Sequence, residues 1–367
     1  MSADLFKCLL KFAPRHAAKV AQYFSAVGAD SMYMRRALDL AAQGSGFTHP
    51  NPMVGAVLVH DGRILAEGYH HRAGEPHAEI MALNNLGAAD RSLLPQATMY
   101  VTLEPCSHRG RTGPCCLALI EQGVGRVVVA LEDPNPLVSG RGISMLREAG
   151  CRVEVGIEAE RAEQLNRAFL SSFRRGRPWV VLKWAADANG AVDGPRSPEH
   201  PGPWTVTGSE AQITSHRLRQ RCGALLVGAG TWLADRTRGS VRALAGPDIA
   251  RIFWASRPLA EPDRLRAEQE GWTVWCPDAG EDSAHALERH LAHSTLRSVL
   301  VEGGPKTLKL FLDSSLWDEA YKWSSPRSLP AGGPPEPSNN LVWQHVGRYG
   351  GDELQVAVPV TPNEHDR

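Results

Sequence analysis

Hydrophobic positions along this chain change period several times, and the changes outline alternating helices and strands. Met34, Ala37, Leu38 and Ala41 recur at helical spacing, so residues 34–41 are predicted to form a helix with Asp30 or Ser31 as its cap. Residues 54–59 and 64–68 are apolar runs either side of Asp61-Gly62 and predict a hairpin. Residues 76–83 read as a helix, 98–103 as a strand, and Pro114 opens another helix through Ile120. A strand at 126–131, a helix near 143–149, a strand at 152–155 and a helix at 160–173 follow. This alternation predicts an α/β/α sandwich with any site at strand C-terminal ends.

Arg174-Arg175-Gly176-Arg177-Pro178 interrupts the pattern and marks a boundary. The expected organisation is an extension at 1–30, one domain at 31–175 and a second at 176–360. The second half restarts with the strand Trp179-Val180-Val181-Leu182-Lys183-Trp184, with further strands at 224–227, 252–254, 273–275 and 298–301. Helices are expected at 210–221 and 305–312, and the Pro-, Gly- and Ser-rich stretch 324–340 reads as loop. No Gly-x-Gly-x-x-Gly follows a strand, so a Rossmann site is not indicated. Glu302-Gly303-Gly304-Pro305 and Gly228-Ala229-Gly230-Thr231 are instead strand-end turns whose free N–H groups could cradle a phosphate.

Composition narrows the classes. Forty basic residues balance forty acidic ones, which leaves no overall electrostatic footprint for nucleic acid. No apolar run approaches the roughly 20 residues that span a membrane. Seven cysteines without framework spacing do not suggest a secreted disulfide protein. A cytoplasmic protein is expected. Lys7, Lys11, Arg15 and Lys19 lie four residues apart in the extension, which reads as dispensable.

The candidate chemistry lies in His77-Ala78-Glu79, Cys106 and Cys115. One imidazole and two thiols leave a tetrahedral Zn²⁺ one open position, as a catalytic zinc requires. Glu79 is a carboxylate left over to move a proton between water and a leaving amine. His77 and Cys115 each fall at a predicted helix start, where thiolates are favoured. Cys116 competes with Cys115 as ligand, and His108 is a further candidate. A closed structural zinc site would need a fourth protein ligand and would give Glu79 no task.

Several longer stretches carry a resemblance. They are Thr48-His49-Pro50-Asn51-Pro52-Met53-Val54-Gly55, Gly68-Tyr69-His70, Ala73-Gly74-Glu75-Pro76-His77-Ala78-Glu79, Thr102-Leu103-Glu104-Pro105-Cys106-Ser107-His108 through Cys115, and Asp133-Pro134-Asn135-Pro136. Together they resemble the bifunctional deaminase–reductase family of riboflavin biosynthesis, densely over 32–175 and more loosely over 177–355. The resemblance implies an N-terminal domain with the cytidine-deaminase fold and a C-terminal α/β domain like dihydrofolate reductase. It implies Zn²⁺ on His77, Cys106 and Cys115, with Glu79 as proton shuttle. Asn51, His70, His108, Arg111, Asp133 and Asn135 fall where the family holds the pyrimidine ribosyl phosphate, a small-molecule substrate. Arg219, Arg242 and Glu302 match reductase substrate contacts. Ala185, Trp204, Thr231, Asp235, Gly303, Gly304 and Pro305 match NADPH contacts. Neither nucleic acid nor membrane is implied as a partner, and a homo-oligomer is left open.

The second domain departs from the family in its loops. Asp187-Ala188-Asn189-Gly190 replaces Ser-x-Asp-Gly, Pro201-Gly202-Pro203 replaces Gly-Glu-Ser, and Ala234-Asp235-Arg236-Thr237 replaces Ala-Asp-Asp-Pro. Asp187 is expected to add negative charge near a polyanionic cofactor. A deaminase with an impaired reductase domain is one alternative; a polynucleotide deaminase is another, against which the charge balance and the long loop between Cys106 and Cys115 argue.

Overall fold

The computed structural model describes residues 14–107, 113–136, 138–235, 237–241, 243–244, 246–337 and 340–359, with the backbone path alone for 14–27. The chain divides into two compact units, Met1–Leu170 and Ser171–Arg367.

In the first unit, helix α1 (Pro14–Ala42) precedes strands β1 (Gly55–His60) and β2 (Arg63–Tyr69). There follow α2 (Ala78–Asn84), a 3₁₀ segment (Ala88–Gln96), β3 (Thr98–Val101), α3 (Cys115–Glu121), β4 (Arg126–Val129), α4 (Arg141–Glu148), β5 (Arg152–Val155) and α5 (Ala159–Arg175), which runs past Leu170 into the second unit. The sheet order is β2-β1-β3-β4-β5. β1 is antiparallel to both neighbours, and β3, β4 and β5 are parallel. Alternate strand residues supply two separate cores. Val57, Val59, Tyr100 and Val128 pack on one face with Met34, Ala37 and Leu38 of α1. Ala56, Leu58, Met99, Val101, Val127 and Val129 pack on the other with α2, α3 and α4. The result is a three-layer α/β/α sandwich.

α1 does not begin at a cap formed by Asp30 or Ser31. It starts at Pro14 and passes through both. Asp30 is buried, and its carboxylate accepts hydrogen bonds from Tyr100 Oη (2.6 Å) and from Arg126 Nη1 (2.9 Å) and Nη2 (2.7 Å). A polar residue that reads as a helix start thus anchors α1 to the sheet. Gly68 lets α2 approach β2 closely, because a Cβ there would sit 2.4 Å from Ala82 N. That crossing sets the height of the α2 N-terminus above the sheet.

The second unit contains β6 (Trp179–Ala186), α6 (Ser209–Arg221), β7 (Ala224–Gly228), α7 (Ala229–Asp235), β8 (Ala250–Trp254), α8 (Glu261–Gln269), β9 (Thr273–Trp275) and α9 (Ser283–Ala292). It continues with β10 (Ser298–Val301), α10 (Pro305–Asp313), β11 (Glu319–Ser324), β12 (Gln344–Tyr349) and β13 (Asp352–Ala357). Its sheet runs β12-β13-β11-β6-β10-β7-β8-β9, parallel from β11 through β9, with an antiparallel hairpin at the β12 edge. Val180, Leu182, Leu226 and Val301 face one core, and Val181, Leu225, Val227 and Leu300 the other. The turn expected at Gly228-Ala229-Gly230-Thr231 is the strand end and first turn of α7.

Asp187 is not a free charge. Its Oδ1 accepts the N–H groups of Asn189 (2.9 Å) and Ala191 (2.7 Å), and its Oδ2 that of Leu329 (2.7 Å). Burial works against the charged form, but these N–H groups outweigh it and hold the carboxyl below its usual range. The charge expected to repel a cofactor instead fastens two loops together.

Candidate active sites

The first site forms where three chain segments meet at the C-terminal end of β3. His77 is the N-cap of α2, and Cys115 is the first residue of α3. Cys106 lies beyond β3, and its sulfur accepts the Cys115 N–H at 3.3 Å. His77 Nδ1 stands 3.6 Å from Cys106 Sγ and 3.2 Å from Cys115 Sγ. The ligand atoms of all three residues lie within 4.8 Å of one another. A tetrahedral zinc with Zn–N and Zn–S lengths of about 2.05 and 2.3 Å needs a nitrogen–sulfur edge of about 3.6 Å. The cluster therefore fits zinc in both donor chemistry and spacing. The Cys106 thiol is drawn down to about 4, chiefly by its contact with Cys115, then, against burial, by His77 and the Cys115 N–H. Cys116 packs in the apolar core, 3.8 Å from Met145 Sδ, and stands outside this cluster.

Glu79 lies in the first turn of α2 and is 3% exposed. Burial pushes its carboxyl up to about 7, against the attraction of His77. A buried carboxyl balanced near neutrality is suited to accepting and returning a proton.

Around this centre, Asn51 Nδ2 lies 3.1 Å from His70 Nε2, and His70 Nδ1 lies 3.1 Å from the Pro76 carbonyl oxygen. Burial lowers the His70 pKa, favouring the neutral ring. With its proton on Nδ1, that ring donates to Pro76 and accepts from Asn51. The His70 and His77 rings meet edge-on at 5.4 Å. Asp133 is buried, and its Oδ1 accepts the Asn135 N–H at 2.8 Å. His108 and Arg111 lie outside the described residues.

The second unit holds a cleft of about 1270 Å³ along the C-terminal ends of β6, β10, β7 and β8. Ala185, Thr231, Asp235, Gly303, Gly304 and Pro305 line it. Asp235 is tied to Arg196 at 2.7 Å. Trp204 is not among the lining residues: it stacks on His200 at 3.8 Å and donates from Nε1 to the Pro195 carbonyl. Glu302, whose side chain is 9% exposed, lies 2.7 Å from Arg219 Nε and 3.7 Å from Lys183 Nζ. Burial opposes the Glu302 charge, but Arg219 and Lys183 outweigh it and lower its pKa. Lys183 is lowered by burial despite Glu302. Glycines at the strand ends, basic residues and an apolar trough suit a nucleotide cofactor such as NADPH. Arg242 lies outside the described residues.

The sequence reading did not select Lys183 or Arg196 as site residues. Lys183 carried a signal, as the one charge inside an apolar strand. Arg196 carried none, because its role depends on a loop returning toward Asp235.

These two units define the class: a zinc-binding deaminase domain followed by a nucleotide-dependent reductase domain. Residues 28–131 match the cytidine and deoxycytidylate deaminase zinc-binding region, and residues 178–335 match the RibD C-terminal domain. Riboflavin biosynthesis protein RibD of Aquifex aeolicus is 36% identical over 330 residues, covering 83% of this chain and 88% of that protein. The Escherichia coli protein of the same name is 37% identical, covering 82% and 88%. Among solved structures, form 2 of Acinetobacter baumannii RibD superposes with a TM-score of 0.80 at 31% identity, covering 91% of this chain and all of that one. A Thermotoga maritima diaminohydroxyphosphoribosylaminopyrimidine deaminase/5-amino-6-(5-phosphoribosylamino)uracil reductase superposes at 0.74 with 30% identity, covering 91% and 99%. The chain belongs to the RibD family. It is a bifunctional enzyme of riboflavin biosynthesis, with a deaminase domain that binds zinc and a reductase domain that uses NADPH.

Proposed function

We propose that residues 31–175 deaminate 2,5-diamino-6-ribosylamino-4(3H)-pyrimidinone 5′-phosphate and that residues 176–360 then reduce its ribose to ribityl. The observation that carries this reading is the His77–Cys106–Cys115 triangle with buried Glu79 beside it. Zinc bound there supplies a Lewis acid that lets water ionise near neutral pH. Glu79 takes the proton released as water adds to C2 and hands it to the exocyclic amine, which leaves as ammonia. Asp133 and Asn135 read the ring edge, while Asn51, His70, His108 and Arg111 hold the remainder of the substrate and its phosphate.

In the reductase unit, Glu302 and Arg219 hold the opened sugar and its phosphate, together with Arg242. Lys183 and Glu302 line the cleft together, beside the point where the sugar C1′ receives a hydride. The nucleotide lies along Ala185, Thr231, Asp235 and Gly303-Gly304-Pro305, with Trp204 bracing the adjoining loop. The protein's task is to hold the two reactants face to face with water excluded. The loop departure at Asp187 does not favour an impaired reductase, because that carboxylate is engaged by backbone N–H groups.

The substrate is a free small molecule, and the reading needs neither nucleic acid nor a membrane. Among the described residues no helix is long and apolar enough to cross a membrane. A cytoplasmic enzyme, acting as a monomer or homo-oligomer, completes the proposal. The test is to purify the protein with zinc, supply the diaminopyrimidinone phosphate, and follow ammonia release and NADPH oxidation separately. Ammonia released before NADPH is consumed supports the order; no ammonia release contradicts the assignment.

A further inference from the structure

The side chain of Glu104, two residues before the zinc ligand Cys106, is engaged in a way that the mechanism above does not use. It is 5% exposed and collects four backbone N–H groups from a single segment. Oε2 accepts from Asp133 (3.2 Å) and Gly140 (2.9 Å), and Oε1 from Gly142 (2.9 Å) and Ile143 (3.3 Å). Its own N–H donates to the Leu131 carbonyl at 2.9 Å. Helix α4 has no side-chain cap on its N-cap residue, Gly140, so two of its first free N–H groups are satisfied by Glu104. The contact is tight: a Cβ at Gly142 would lie 2.1 Å from the Pro105 carbonyl oxygen.

The segment so held contains the Asp133–Asn135 turn. That turn is rigid internally, since Asp133 Oδ1 accepts the Asn135 N–H and the Asn135 carbonyl accepts from Val138 (2.8 Å) and Ser139 (2.9 Å). One carboxylate therefore joins the strand exit that carries Cys106 to the Asp133–Asn135 turn. We propose that Glu104 is a positioning residue, which fixes the ring-reading turn at a set distance from the metal. The inference rests on the reading that Asp133 and Asn135 contact the substrate. A carboxylate is required because four donors need acceptors on both oxygens. A glutamine in its place would turn an NH₂ group toward two of those donors.

The test uses the full-length, zinc-loaded protein and three variants, E104Q, E104D and N135A, with deamination of the diaminopyrimidinone phosphate as the assay. Zinc per chain and NADPH-dependent reduction of the deaminated product are measured alongside. Loss of a charge-assisted contact that aligns a binding turn should raise KM about ten- to a hundredfold. A binding defect of this kind leaves kcat nearly unchanged. E104Q is expected to show that split with zinc and reduction intact, and E104D to recover part of it. In an N135A background the E104Q effect should largely vanish, because the two residues act through one turn. If N135A raises KM and E104Q does not, the proposal is wrong and the reading of the turn stands. If N135A leaves KM unchanged, the reading of the turn fails and the proposal falls with it. Should E104Q fail to retain zinc, the KM of E104D decides in the same way. Loss of zinc in both assigns Glu104 to fold stability alone and overturns the proposal.

Discussion

Replacing Glu79 by Gln tests the proton path with the smallest change of shape. The ligand atoms at this site come from His77, Cys106 and Cys115, so the variant should retain one zinc per chain. The side chain is 3% exposed, and an amide of the same volume fits without opening a cavity. What changes is acid–base function: a carboxyl raised by burial to about 7 can give and take a proton near neutrality, and an amide cannot. General acid–base groups contribute about 10²- to 10⁴-fold in rate. At about 1.36 kcal/mol per tenfold, that is roughly 2.7–5.4 kcal/mol of the barrier. The loss should appear in kcat, with zinc content and reductase activity unchanged. The assay is ammonia release at saturating substrate, with zinc measured by elemental analysis of the same sample. Activity within about threefold of wild type would refute the assignment of proton transfer to Glu79.

Four further outcomes are expected. Cys115→Ser should release zinc and abolish deamination, whereas Cys116→Ser, which alters only core packing, should keep both; elemental analysis separates them. Asp30→Ala leaves the Tyr100 hydroxyl and the Arg126 guanidinium without their buried partner and should cost about 3 kcal/mol, read by denaturant unfolding. Burial raises the Asp30 pKa, but Arg126 and Tyr100 outweigh it and hold it below 3.8, so the stability it supplies is complete above about pH 4. That contribution is lost as pH falls through the depressed value, and the wild-type advantage over Asp30→Asn should shrink across that window in a pH series of unfolding curves. Arg219→Ala removes the closer of the two cationic partners of Glu302 and should raise KM for reduction more than tenfold, by NADPH oxidation, with deamination unaltered.

The inner strands of both sheets were largely legible because they are buried along their length, as β1, β7 and β10 are. Residues 152–155, 273–275 and 298–301 read from the sequence coincide with β5, β9 and β10. Elements with little apolar content were not read. α8 buries only Ala267, and β12 is half or fully exposed along its length, so neither has a periodic signal. Asp30 shows the opposite failure, since a residue with cap chemistry can instead satisfy a buried arginine. In the deaminase site, His77, Glu79, Cys106 and Cys115 were legible because two sit at helix starts and the others close by in sequence. The second site was less so. Arg196 meets Asp235, and Glu302 meets Arg219 and Lys183, across long sequence separations that only the folded sheet brings together.

One chain is proposed to perform deamination and then reduction. The direct measurement is a time course of the zinc-loaded protein with the diaminopyrimidinone ribosyl phosphate, with and without NADPH, resolving both products. Without NADPH the deaminated ribosyl compound should accumulate with one equivalent of ammonia. With NADPH, conversion to the ribityl product and oxidation of one equivalent of cofactor are expected. Deamination that proceeds normally while NADPH is never oxidised would contradict the two-step account.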